Sequence, residues 1–367
     1  MAVDSDWNST ARASLITGKS ISSLQYVRLS DYFVDLGKSS GFTEIIKDIT
    51  MIQNRRKFIS TMVAGGVTIP LISNLHSLIP ESDKNVSNIR LFSKPLDNYD
   101  FDFMCECTAR SGIGGLDLTV RPGGKVEPAD VETSLPKLIE RAGKYKLTID
   151  MIVTGIVSAS DPLTERVLKT ASHSGIKFYR LGWFDYDFKK GVWETLQQYR
   201  TDLIEISRIN SKYKIHGGYQ NHAGTHVGAP VWDLHELLRD ISPEFIGSQY
   251  DVRHAMVEGT DTWMVGMRLI AKHIKTLALK DFIWKTDGAK PQPVTVPMGE
   301  GMIDWDLYFN LVKELNIIAP ITLHVEYPLL EKEDLKLSLS QQQEIIIRKL
   351  KKDTDFINSH LKKYQLI

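Results

Sequence analysis

From about residue 100 onward, short apolar runs alternate with longer stretches whose apolar residues recur every three or four positions. The short runs predict strands at Phe101–Cys107, Gly115–Thr119, Leu147–Val153, Phe178–Leu181, Ile215–Gln220, Ile246–Tyr250, Ile274–Lys280 and Ile321–Glu326. The longer stretches predict helices at Val131–Tyr145, Pro162–Ser174, Val192–Tyr213, Pro230–Ile241, Asp261–Lys272, Asp304–Leu315 and Ser340–Lys363, long enough to cross over between parallel strands. Punctuation agrees with these limits. Asp161-Pro162 opens one helix, Gly175 closes it and Pro243 follows another. The first connection, Thr108 to Gly114, is too short for a full helix. Eight strands alternating with helices predict an α/β chain folded as a single (β/α)8 TIM barrel. An open doubly wound sheet would alternate in the same way, but no glycine-rich phosphate fingerprint follows the first strand, so no nucleotide cofactor is expected.

The first eighty residues read differently. Asn54-Arg55-Arg56-Lys57-Phe58 precedes a moderately apolar stretch from Thr61 to Ile72 that Gly65, Gly66 and Pro70 interrupt. Such a stretch is too short to span a bilayer. The paired arginines followed by Lys and Phe resemble a twin-arginine export signal, which predicts a periplasmic protein; the rival reading is a surface helix with a chance arginine pair. Met51 sits where a start would be expected, so residues 1–50 read as an extension from a miscalled start, 51–80 as the signal segment, 81–98 as a linker and 99–367 as the barrel. No cleavage site of the Ala-x-Ala kind is present.

Composition narrows the partners. Lys plus Arg and Asp plus Glu both total 45 in 367 residues, so no long-range field draws in nucleic acid or an anionic membrane. The two cysteines, Cys105 and Cys107, fall in the first predicted strand on one face, where a disulfide would be strained. They read as buried thiols.

In barrels of this kind chemistry gathers at strand C-termini. Here those ends read Asp117-Leu118-Thr119-Val120-Arg121-Pro122-Gly123-Gly124, Arg180-Leu181-Gly182-Trp183, Gln220-Asn221-His222-Ala223-Gly224, Asp251-Val252-Arg253-His254, Lys280-Asp281 and His324-Val325-Glu326-Tyr327. These runs, in this order over residues 100–330, resemble the xylose-isomerase-like barrel family of sugar and sugar-phosphate isomerases and epimerases. The resemblance implies one divalent cation held by Glu, Asp, His and Glu from the fifth to the eighth strands. Asp251 and Glu326 match two of those positions, whereas Gln220 and Ala278 stand where the family has Glu and His. A cation such as Mg²⁺ or Mn²⁺ would then rest on Asp251, Glu326, Gln220 and water, with His254 and His222 suited to Zn²⁺ or Mn²⁺.

The chemistry the resemblance implies is removal of a weakly acidic proton next to a sugar carbonyl and stabilisation of the resulting enediolate. Glu326 is the candidate base or shared metal ligand, Lys280 the candidate partner of the oxyanion, and His222 and His254 candidate proton shuttles. Arg121, Arg180, Asp117 and Trp183 are candidates for substrate binding, the arginines through forked donors. Each arginine reads equally as a strand-to-helix salt bridge, and Lys280-Asp281 as an internal ion pair. His173, His216, His235 and His273 read as structural or solvated. Export favours a free or keto sugar over a sugar phosphate. The leading expectation is therefore an exported carbohydrate isomerase or epimerase. The alternatives are a 3-keto-glycoside lyase or hydrolase using the same first step, an endonuclease, which would need a basic groove, and a non-catalytic sugar-binding barrel.

Overall fold

The computed structural model describes residues 88–286, 288 and 290–367. The expected extension, the export segment and the start of the expected linker lie outside the described residues. Eight parallel strands close into a barrel: β1 (Ile89–Phe92), β2 (Gly115–Val120), β3 (Thr148–Thr154), β4 (Phe178–Arg180), β5 (His216–Gln220), β6 (Ile246–Asp251), β7 (Ile274–Leu279) and β10 (Ile321–Leu323). Around the barrel, β1 pairs with β2 and β10, and β10 pairs with β7. Every strand is thus paired on both edges, which leaves the barrel no free edge.

The first strand departs from the expectation. Phe101–Arg110 is a helix, α1, and the strand that opens the barrel is Ile89–Phe92, inside the segment read as a linker. In Phe101-Asp102-Phe103-Met104-Cys105-Glu106-Cys107 the apolar residues alternate as in a strand. Yet Phe101, Met104, Cys105 and Thr108 also follow helical spacing, and these are among the residues α1 buries. Asp100 decides for the helix by capping it, its carboxylate accepting the Asp102 N–H at 2.8 Å. The cysteines therefore lie on a helix rather than a strand. Both are free and buried as expected, and burial pushes each thiol up to about 12. The barrel accordingly starts about ten residues before Tyr99.

Side chains explain why β1 belongs to the barrel. Arg90 reaches past β2 to Asp150 on β3, with Nε 2.7 Å and Nη2 2.9 Å from the two carboxylate oxygens. Gly115 on β2 makes room, since a Cβ there would come within 2.7 Å of the Arg90 Cδ.

The crossover helices are α2 (Val131–Lys144), α3 (Pro162–His173), α4 (Val192–Tyr213) and α5 (Val231–Leu238). They are followed by α6 (Val252–Gly259), α7 (Trp263–Ile270), α8 (Trp305–Glu314) and α9 (Leu339–Lys363). As the Asp161-Pro162 pair predicts, Asp161 caps α3 through the Leu163 N–H. The helix expected at Asp261–Lys272 is α7, and an additional helix, α6, precedes it, beginning directly at the end of β6. His216 and His273 are buried, and burial pulls both down to about 4. No helix among the described residues is long and apolar enough to cross a membrane.

Between β7 and α8 the chain inserts an antiparallel hairpin, β8 (Asp281–Thr286) and β9 (Pro291–Val296), which the sequence pattern did not reveal. Its base is held by Asp281. That carboxylate accepts N–H groups from Phe282, Gly299, Gly301 and Ile303, and the Trp305 indole at 2.8 Å. A Cβ at Gly301 would run into the Asp281 carboxylate. The returning loop is fixed from the other side by Asp353 of α9, which accepts the Met298 N–H at 3.0 Å and the Tyr327 hydroxyl at 2.7 Å.

Candidate active site

A cavity of about 680 Å³ opens at the C-terminal ends of the barrel strands. Of the residues expected there from sequence, Arg121, Arg180, Trp183, Gln220, His222, Lys280 and Glu326 line it. Each is the last residue of a strand or lies on the segment just after one. Asp117, Asp251 and His254 are buried and are not part of the lining. The lining also includes Phe92, Lys94, Pro95, Val325 and Tyr327 to Leu329. Phe92 and Lys94, the end of β1 and the turn after it, escaped the sequence reading because that strand lies in the segment read as a linker. Tyr327 was visible only as the neighbour of Glu326.

The floor is one connected polar network. The Arg180 Nη1 donates to the Gln220 Oε1 at 2.8 Å, and the Gln220 Nε2 donates to the Asp251 Oδ2 at 2.8 Å. The same Asp251 oxygen lies 3.3 Å from the Lys280 Nζ, which donates on to the Glu326 Oε2 at 3.0 Å. Asp251 is held in turn by Asn221, which exchanges two 2.8 Å bonds with its backbone, and it caps α6 by accepting the His254 N–H at 3.2 Å. The alternative reading of Lys280-Asp281 as an internal ion pair is not what forms; Lys280 pairs with Asp251 and Glu326. Successive strand residues point to opposite sides, so Asp281 turns to the hairpin loop while Lys280 turns into the barrel.

Aromatic rings cover the charges. The Arg180 guanidinium stands 4.4 Å from the Trp183 ring centroid and 5.9 Å from that of Phe92, and Arg121 also stands 5.9 Å from Phe92, distances at which cation–π attraction operates. His222 packs 4.6 Å from Trp183 and 4.0 Å from His254. His324 stacks on Phe92 at 4.5 Å.

These surroundings set the protonation states. Burial, reinforced by the Lys280 charge, pulls His222 down to about 4 and His254 well below the ordinary imidazole range. Burial and Lys280 bring His324 to about 3. All three are therefore neutral near pH 7, able to accept a proton but not to act as ready cationic acids. Burial would raise the Glu326 carboxyl, but the Lys280 charge, His324 and the Lys280 hydrogen bond outweigh it and hold Glu326 below its ordinary value. Burial draws Arg180 down to about 10, which leaves it charged. Asp117, wholly buried, is pushed by burial up to about 6 against the pull of Arg180.

A divalent cation does not fit these groups. Among the described residues no group of three or more His, Cys, Asp or Glu side chains is placed to hold one. The Gln220 oxygen is taken by Arg180, the Asp251 Oδ2 by Gln220 and Lys280, and Ala278 offers only a methyl.

Residues 105–345 match the family described as the xylose isomerase-like TIM barrel. The chain belongs to that family. No curated protein matches it in sequence. Solved structures share the fold at low identity. An L-ribulose 3-epimerase aligns with a TM-score of 0.56 at 12% identity, over 76% of this chain and 95% of its own. The IOLI protein with a zinc atom aligns at 0.57 and 16%, over 75% and 98%. A probable 3-DHS dehydratase, AsbF, from Bacillus anthracis aligns at 0.51 and 12%, over 74% and 98%. This xylose isomerase-like barrel thus shares its architecture with proteins described as an epimerase and as a dehydratase.

Proposed function

We propose that the chain is a carbohydrate isomerase or epimerase that abstracts a proton next to the carbonyl of a free or keto sugar. The observation that carries this reading is the Glu326–Lys280 pair on the cavity wall. A carboxylate held ionised stands beside an ammonium, so a base and a charged donor face the same substrate. Proton transfer from the carbon to Glu326 moves the C–H electron pair toward the carbonyl oxygen, which Lys280 stabilises. Return of the proton to the former carbonyl carbon, as the neighbouring hydroxyl passes its own proton to the first oxygen, gives isomerisation; delivery of a proton to the opposite face of the original carbon gives epimerisation. Neutral His222, which lines the same cavity as Glu326, is the second group able to carry that proton. Trp183 offers a face to the sugar ring, while Arg121 and Arg180 bind its oxygens. We also propose that the Arg55-Arg56 segment exports the protein to the periplasm; replacing both arginines by lysine should leave it in the cytoplasm.

The test is incubation of the protein with free and 3-keto sugars in D₂O. Deuterium gained next to the carbonyl, with no other change in product mass, supports the reading. A product lighter by the leaving group points instead to the lyase or hydrolase that shares the first step. Sugar binding without exchange, in the parent and in Glu326→Gln alike, points to a binding protein.

A further inference from the structure

We propose that the Lys280 ammonium is the resident cation of this site and that the chain works without a divalent metal ion. The Lys280 Nζ lies 3.3 Å from the Asp251 Oδ2 and 3.0 Å from the Glu326 Oε2, so it sits between the two carboxylates a metal would need. Its side chain is 1% exposed and Asp251 is fully buried, which makes the pairing one of buried charges rather than a surface contact.

The neighbours are adapted to that arrangement. Asp251 is engaged on both oxygens: its Oδ2 accepts from Gln220 and faces the Lys280 ammonium, and its Oδ1 accepts the His254 N–H. Gln220 is suited to its position because it is an amide. Its oxygen accepts from Arg180 and its nitrogen donates to Asp251; a glutamate could do the first but not the second. Ala278, two residues before Lys280, shares its face of the chain, and its methyl brings no competing ligand. Charge also balances. Within the connected network Asp251 and Glu326 supply two negative charges and Lys280 and Arg180 two positive ones, so a dication added beside the buried Lys280 and Arg180 meets charges of its own sign.

An ammonium has three N–H groups; one is donated to Glu326 at 3.0 Å, and a second side of the ammonium faces Asp251 at 3.3 Å. The third is left for the substrate oxygen on which negative charge develops. This catalytic part rests on the proton abstraction proposed above; the absence of a metal requirement does not. Through the reaction the lysine keeps its proton, and the proton is carried by Glu326 and, for inversion, by His222.

The experiment is titration of the full-length protein with Mn²⁺, read by electron paramagnetic resonance, and elemental analysis after exposure to Mn²⁺, Zn²⁺ and Mg²⁺. The parent should take up no stoichiometric metal, and Lys280→Met, which frees both carboxylates, should gain a Mn²⁺ signal that Asp251→Asn abolishes. One equivalent of metal in the parent, lost in Asp251→Asn, would overturn the proposal. So would a folded Lys280→Met protein that still takes up no Mn²⁺, because no cation seat would then exist. If Lys280→Met does not fold, Gln220→Glu serves instead. It adds a carboxylate but keeps the lysine, so it should still exclude Mn²⁺, and uptake there would count against the proposal. These readings need no turnover. A metal-free protein that shows no deuterium exchange would therefore sink the sugar chemistry and leave the cation assignment standing.

Discussion

Asp281 and Trp305 meet at 2.8 Å, the indole N–H donating to a carboxylate that already receives four backbone N–H groups. This contact ties the hairpin insertion to the start of α8, immediately after the residue that directs the site's ammonium. A buried donor left without an acceptor costs roughly 1–3 kcal/mol. Asp281→Ala strands several at once and should destabilise the protein by about 3 kcal/mol or more, whereas Asp281→Asn should cost less. Urea unfolding measures it; an unchanged midpoint for Asp281→Ala would show that the loop is held by something else.

Glu326→Gln keeps the shape of the cavity wall and removes the base. The expected loss in kcat is about 10²- to 10⁴-fold, the usual contribution of a positioned general base. Sugar affinity should change little. Ligand binding by calorimetry alongside turnover separates the two effects, and full activity in the variant would remove Glu326 from the mechanism.

The pH profile of kcat/KM follows from the same pair. Glu326 is held below its ordinary value of 4.5, so it is already ionised throughout the range from pH 5 to 8. His222, at about 4, is neutral over that range too. The acid limb should therefore fall below pH 4.5, with none near 6.5. A limb near 6.5 would mean that an imidazole with ordinary titration carries the proton.

Asp117 gives a stability signature of opposite sign to most acidic groups. Its folded value of about 6 exceeds its ordinary 3.8, so between those values the native state holds more protons than the unfolded one. Its contribution to stability is then lost as pH rises through that window. Asp117→Asn removes the penalty. Relative to the parent, the variant should gain stability progressively from about pH 4 to about pH 6 and level off above. Denaturation at both ends of the window tests this; a pH-independent difference would show that Asp117 is not titrating in the fold.

Most of the barrel was legible because seven of its strands carry apolar runs between helices with caps and breakers, as Asp161-Pro162 and Gly175 show. β1 was not. Ile89-Arg90-Leu91-Phe92 is four residues long, buried throughout, with an arginine whose partner Asp150 lies on β3. Alternation in Phe101 to Cys107 then supplied a false substitute. In the site, reading strand ends found the ionic residues, since a position just past a strand is set by the fold. The sequence could not tell which of them reach the cavity, because that depends on partners distant in the chain. Asp251 is drawn under the floor by Gln220 and Asn221, while Lys280 turns away from its own neighbour Asp281.

Asp353 bridges the hairpin return at Met298 and the Tyr327 hydroxyl on the cavity wall, so the closing helix of the barrel is also a clasp on the pocket. A change at Asp353, on the outer ring of helices, is therefore felt at the rim of the cavity, in the way a hinge pin far from a door's edge sets how the door hangs.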